Sequence, residues 1–215
     1  MKKTFFLATA LACLLSACES KLVEQVQLIP QAENVEILNG SLALSDLQTI
    51  QAPEAWKATA ENFIGDVKKT ADLSLALASE GASIVLTENA NLPKEAYHLS
   101  ITKNGVQIEA NDVTGISHGL TSLHQLILTA KDGKLPVLHI QDKPLYGYRG
   151  LMLDCSRHFW TVDELKESID QMAFFKFNTL HMHLTDNQAW RMAVDKYPSL
   201  IKEGTYYYDF PEMSG

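Results

Sequence analysis

The chain has 215 residues, 46% hydrophobic and 20% charged, with a formal net charge of −8. This is a globular composition with length for one or two domains. It speaks against a nucleic-acid partner, because phosphate binding needs a basic face and none is visible.

The first eighteen residues, MKKTFFLATALACLLSAC, place Lys2 and Lys3 before an apolar run from Phe5 to Leu15 and then small residues. That layout is a secretory signal, too short to span a bilayer as a stable helix. The ending LSAC resembles the bacterial lipoprotein box, which implies that residues 1–17 are removed and that Cys18 carries the lipid. Loss of Lys2 and Lys3 would take the charge from −8 to −10 (−8 − 2). Glu19 after the cysteine, by resemblance to Gram-negative lipoproteins, implies the outer membrane. Secretion with Cys18 unmodified is the alternative. Cys13 goes with the signal, so Cys155 is left as the one internal thiol and no internal disulfide is expected.

Residues 18–145 are expected to form an α+β domain. VEIL (35–38) and SLALSD (41–46) are short strand candidates around the turn pair Asn39-Gly40. TAENFIGDVKKTADL (59–73) has helical spacing, with Phe63, Ile64 and Val67 on one side. SIVLTE (83–88), AYHLSIT (96–102) and VQIEA (106–110) read as strands, the last two a hairpin around Asn104-Gly105. GISHGLTSLHQLILTA (115–130) is a helix with Ile116, Leu120, Leu123 and Ile127 on one face. His118 and His124 on it read as packing or surface residues. KLPVLHIQDKPLYGYRG (134–150), with Pro136, Pro144 and two glycines, reads as a linker.

Residues 146–215 follow another logic. LMLDC (151–155) is a continuous apolar strand bearing one acid, and TLHMHL (179–184) is a second strand. Between them Thr161 and Glu164 fit a capping box, and Val162, Leu165, Ile169, Met172 and Ala173 give a helix with one stripe expected to be buried. Strand, helix, strand in this length is a βαβ unit, so the two strands should be parallel. Chemistry in such folds gathers where strands end at their carboxyl edge. There the first strand offers Cys155-Ser156-Arg157-His158 and the second Thr185-Asp186-Asn187-Gln188.

Several readings of these residues stand side by side. Arg157, a forked donor, suits neighbouring hydroxyls or a carboxylate; alternatively it pairs with Asp154. Asp186 holds Arg157, accepts a substrate hydroxyl, orients a histidine, or is a turn residue before Asn187. His181 and His183 share a face, so they are either packing residues or the start of a metal-dependent amidohydrolase-type barrel. Trp160 and Trp190 are core residues or a sugar platform. Cys155, on a buried strand, is expected to be inert.

The run from Tyr148 to Leu200 resembles the family 20 glycoside hydrolases, the β-N-acetylhexosaminidases. The resemblance rests on RG-x-x-x-D-x-(S/A)-RH-F followed by N-x-(L/F)-H-x-H-L-T-D. It extends more loosely upstream, through LIPQAENVEILNG, AYHLSI, GVQIEA and GISHGLTSLHQL. It implies an α+β domain followed by a (β/α)8 TIM barrel, of which residues 146–215 are the first βαβ portion, so that the barrel is truncated at Gly215. It also implies a retaining mechanism in which the substrate's own acetamido oxygen is the nucleophile. By the same resemblance Arg157 grips ring hydroxyls of an N-acetylhexosamine and Asp186, with a histidine further on, orients and tunes the general acid. No cofactor and no metal are implied. The family's general-acid Glu and acetamide-orienting Asp do not occur within residues 1–215. Asp163-Glu164 is an adjacent acid pair but sits behind the Thr161 cap, without the His-x-Gly-Gly context. Met182, Asn187 and Ala189 stand where the family often has Trp, Asp and Gly. A non-enzymatic, lipid-anchored binding module is the reading from a different class. Two strands cannot close a barrel, so residues 148–215 alone are expected to be poorly stable.

Overall fold

The computed structural model describes residues 26–204, and residues 1–17, expected to be a signal, and Cys18 lie outside them. The chain divides between Leu145 and Tyr146 into two compact units.

In the first unit, β1 (Asn34–Ala43), β2 (Thr49–Gln51), β3 (Ala76–Leu77), β4 (Ile84–Glu88), β5 (Tyr97–Thr102), β6 (Gly105–Ala110) and β7 (Lys134–Asp142) make one seven-stranded sheet, in the order β1-β7-β5-β6-β4-β2-β3. It is mixed: β5 pairs antiparallel with β6 and β7, whereas β4 runs parallel to β2 and β6. Burial alternates along the strands, at Ile84 and Leu86, at Tyr97, Leu99 and Ile101, and at Val106 and Ile108, as a sheet covered on one face requires. The cover is α1 (Lys57–Ala71), through Ala60, Phe63 and Val67, and α2 (Val113–Leu128), through Ile116, Leu120, Leu123 and Ile127. On β5 and β6 the turned-away positions are polar, and Ser100 Oγ and His139 Nδ1 lie 2.9 Å apart across β5 and β7.

Local chemistry sets the helix boundaries. Asp112 caps α2 by accepting from the Gly115 amide at 2.8 Å. Asp72, in the left-handed region at φ 52°, stops α1. Buried on α2, His118 Nδ1 meets the Glu95 carbonyl at 3.1 Å and His124 Nε2 meets Thr70 Oγ1 at 2.7 Å, so both are packing residues. Gln125 clasps the incoming chain, giving an N–H to the Ile29 carbonyl at 2.8 Å and accepting the Ile29 amide at 2.9 Å.

Two expectations are corrected here, and a third is met by a different turn. Residues 134–142 are not linker: β7 lies between β1 and β5 in the sheet. Pro136 is tolerated because it pairs only with Ser41 of β1, beyond the end of the β5 ladder at Leu138, so its missing N–H breaks no bond on that side. Asn39-Gly40 is not a turn between two strands; it is an irregularity within β1, between Ile37 and Ser41, with Gly40 at φ 125°. The β5–β6 hairpin forms, but Asn104 does not take a positive φ; Gly105 does, at 146°. A side chain at Gly105 would meet the Ser83 carbonyl oxygen at 2.5 Å, so close packing demands glycine there as well.

The second unit contains β8 (Gly150–Asp154), α3 (Val162–Phe174), β9 (Thr179–His183) and the short α4 (Ser199–Gly204). β8 and β9 pair in parallel, as the βαβ reading requires. The Thr161–Glu164 capping box opens α3, with Glu164 Oε2 accepting from the Thr161 amide at 2.8 Å. Among the described residues of this unit Cys155, Met172 and Ala189 are the buried hydrophobic ones. The stripe expected to be buried on α3 is a further correction, because the two-stranded sheet covers little of it: Met172 is buried, whereas Val162 and Ile169 are exposed, as are Met152 and Phe159.

Candidate active site

The parallel register sets Asp154, the last residue of β8, level with His183, the last residue of β9. Each strand end is followed three residues later by the partner the site uses: Arg157 after Asp154, and Asp186 after His183. The side chains converge. Arg157 Nη1 lies 2.9 Å from Asp154 Oδ2, and Arg157 Nη2 lies 2.7 Å from Asp186 Oδ2. Arg157 Nε donates to Gln188 Oε1 at 3.1 Å. His183 Nε2 is 2.9 Å from Asp186 Oδ2.

Two of the sequence alternatives are therefore realised together. Arg157 pairs with Asp154 and with Asp186, and Asp186 holds Arg157 while contacting a histidine. Three groups hold the Asp186 carboxyl below its ordinary range: first the Asn187 amide at 2.7 Å on Oδ1, then His183, and more weakly the Arg157 charge. Asp154 is lowered too, chiefly by the Arg157 amide, which shares Oδ1 with the Ser156 amide at 3.0 Å each. The guanidinium is thus spread over two ionised carboxylates and an amide, with N–H donors still available for a ligand.

The two rim segments are also stitched to each other. Ser156 Oγ donates to the Ala189 carbonyl at 2.7 Å, and the same carbonyl accepts the Asp186 amide at 3.0 Å. Arg191 Nε donates to the Cys155 carbonyl at 3.0 Å, and its guanidinium lies over the Phe159 ring, 5.3 Å from the centroid. Cys155 is buried, and burial pushes its thiol pKa up, which keeps it un-ionised. Trp160 and Trp190 are half-buried, with indole N–H groups on the carbonyls of Asp154 and Met192. Among the described residues no cluster of three or more His, Cys, Asp or Glu side chains is placed to hold a metal. His181 is exposed and His183 is engaged with Asp186.

Sequence reasoning put Ser156 and Gln188 on the rim without a role, passed over Arg191, and left His183 between packing and a metal ligand. The available signal was the spacing: His183 and Asp186 stand three residues apart across a strand end, as do Asp154 and Arg157.

Comparison with known proteins decides the family. The profile described as "Glycosyl hydrolase family 20, domain 2" matches residues 25–143, more than half the chain. The chain belongs to glycosyl hydrolase family 20. The family's catalytic-domain profile matches residues 146–214. A beta-hexosaminidase from Porphyromonas gingivalis is 34% identical over an alignment covering 95% of this chain and 30% of its own length. The Streptomyces plicatus beta-hexosaminidase (D313N), solved with the product GlcNAc, superposes with TM-score 0.75 at 30% identity, covering 83% of this chain and 38% of the other. The Vibrio harveyi exo beta-N-acetylglucosaminidase, solved with N-acetylglucosamine, gives TM-score 0.77 at 26% identity, covering 84% and 29%. The chain thus spans about 30% of the length of the first curated relatives it matches. Its fold is the family 20 domain 2 followed by the opening βαβ portion of the catalytic barrel.

Proposed function

We propose that this chain supplies the sugar-gripping part of the active centre of a β-N-acetylhexosaminidase, which removes terminal non-reducing N-acetylhexosamine from glycans or chito-oligosaccharides. The observation that carries the reading is the Arg157–Asp186 pair at the carboxyl ends of two parallel strands. A guanidinium fixed by two carboxylates presents its remaining N–H donors in one plane, which suits two adjacent ring hydroxyls. In the reaction, the substrate's acetamido oxygen bonds to the anomeric carbon as the glycosidic bond breaks, and a general acid gives the leaving oxygen its proton. Water then opens the oxazolinium ring with retained configuration. Asp186, kept ionised, steadies a histidine beside the acid. Asp163 and Glu164 take no part: Glu164 closes the helix cap and Asp163 is exposed.

The lipoprotein-like start of the sequence supports a separate proposal, a membrane anchor through a lipid on Cys18 after removal of residues 1–17, with Glu19 favouring the outer membrane. Loss of membrane association in Cys18→Ala is the expected result, read by fractionation.

The deciding experiment is to express the full chain encoded by the gene and follow hydrolysis of an aryl β-N-acetylglucosaminide by proton NMR. Release of the β-anomer first supports the proposal. No hydrolysis of either the gluco or the galacto substrate sinks it and leaves a binding module.

A further inference from the structure

His183 Nε2 lies 2.9 Å from Asp186 Oδ2 and 3.3 Å from Arg157 Nη1. An ionised carboxylate offers only lone pairs, so the ring nitrogen facing it carries a proton. In the neutral ring this fixes the tautomer as Nε2–H. Arg157 Nη1 is itself a donor and cannot bond the same protonated nitrogen; its bond goes to Asp154 Oδ2 at 2.9 Å. Asp186 Oδ2 then has both acceptor positions filled, by His183 and by Arg157 Nη2 at 2.7 Å. Oδ1 accepts the Asn187 amide at 2.7 Å and keeps one acceptor position open. The terminal torsion of an aspartate is broad and nearly two-fold, so nothing intrinsic to Asp186 chooses which oxygen does which task.

We propose that His183 is a positioning residue of the hexosaminidase site: its Nε2–H locks the Asp186 carboxylate so that Oδ2 holds Arg157 and Oδ1 is left for the catalytic groups. The assignment rests on the functional reading above. The charged groups facing the ring are Asp186, on the segment after β9, and Arg157 with its second partner Asp154, on β8 and the segment that follows it. Withdrawing the imidazole removes the one donor on Asp186 Oδ2 that does not also bind sugar. Arg157 then has to satisfy that oxygen and the substrate at once.

The test compares His183→Phe, which keeps a flat ring without a donor, with His183→Gln, which returns an amide N–H. Both are made in the full chain encoded by the gene and assayed on an aryl β-N-acetylglucosaminide across pH. His183→Phe should lower kcat about tenfold or more, the size of one lost hydrogen bond to a charged group, with a smaller change in KM. Its acid limb should move to higher pH, because Asp186 loses a donor that favours its ionised form. His183→Gln should recover most of both effects. Equal kcat in the two variants, or an acid limb that stays put, overturns the assignment. If the wild-type full chain hydrolyses no N-acetylhexosaminide, the functional reading is what has failed. The lock is then read from long-range 1H–15N spectra of the same chain labelled with 15N-histidine. An Nε2–H signal that Asp186→Asn perturbs supports it, and the Nδ1–H tautomer overturns it.

Discussion

Arg157 Nη2 stands 2.7 Å from Asp186 Oδ2, joining residues on two different strand ends. The same guanidinium reaches back to Asp154 Oδ2 at 2.9 Å and gives its Nε to Gln188. A lysine has one compact ammonium and cannot make this fork. Arg157→Lys should therefore lose binding as well as geometry: kcat/KM on an aryl β-N-acetylglucosaminide should fall roughly 10- to 100-fold, about 1.5–3 kcal/mol for a bond to a charged group. Steady-state kinetics on the full gene product check this, and an unchanged ratio would remove Arg157 from the sugar contacts.

Glu164→Gln gives the opposite expectation. The carboxylate is spent on the Thr161 amide and hydroxyl, at 2.8 Å each. The amide can still accept there, so activity should stay within about twofold, and the helix should lose only a few tenths of a kcal/mol. A hundredfold loss of kcat would show that the adjacent acid pair is catalytic after all.

The fold and the site were legible in the sequence to different depths. α2 and the β5–β6 hairpin announce themselves by period, because each buries one regular face; the βαβ unit is legible from the order of its elements and its capping box, although Val162 and Ile169 stay exposed. β7 does not: LPVLHI has no alternation, and Pro136 and Pro144 read as punctuation, while its place in the sheet is fixed by partners about 40 and 100 residues away in sequence. β2 and β3 are too short, at three and two residues, to carry any pattern. Arg157 and Asp186 could be placed on one rim from strand ends alone. That Arg157 uses Asp154 and Asp186 together could not, because the path of the segments after each strand decides it. His183 was hidden for the same reason, since alternation gives its face but not its partner.

Acid titration should destabilise the second unit. Asp186 and Asp154 both have folded-state pKa values below the ordinary 3.8. A depressed folded pKa contributes stability that is present above the unfolded value and lost as pH falls through the folded one. The loss should therefore begin near pH 4 and deepen below it. Melting curves of the full gene product between about pH 6 and pH 2 test this. The double variant Asp154→Asn, Asp186→Asn should show a flatter dependence, and a slope identical to wild type would contradict the assignment.

Glycine 115 offers a reversal of helix propensity. On an exposed helix, Gly→Ala gains about 1 kcal/mol. Here the new methyl would fall on the Ala96 carbonyl oxygen and within 2.9 Å of Ala110 Cβ, where α2 approaches the sheet. Gly115→Ala should instead destabilise the first unit by roughly 1–3 kcal/mol, the usual size of core overpacking. Chemical denaturation gives the sign directly, and a stabilised variant would mean that the helix can lift away from β5.

The Gln125 clasp on Ile29 has a consequence for geography. It fastens the chain to α2 at a defined point, with Val26 and Leu28 just ahead of it packed on the core. If Cys18 bears the lipid, eleven residue steps (29 − 18) separate anchor from clasp. Fully drawn out, that leash reaches about 40 Å at most. With that lipid in place, the clasp on the first unit could stand no farther from the bilayer than the leash allows, so Gln125 would mark where free reach ends.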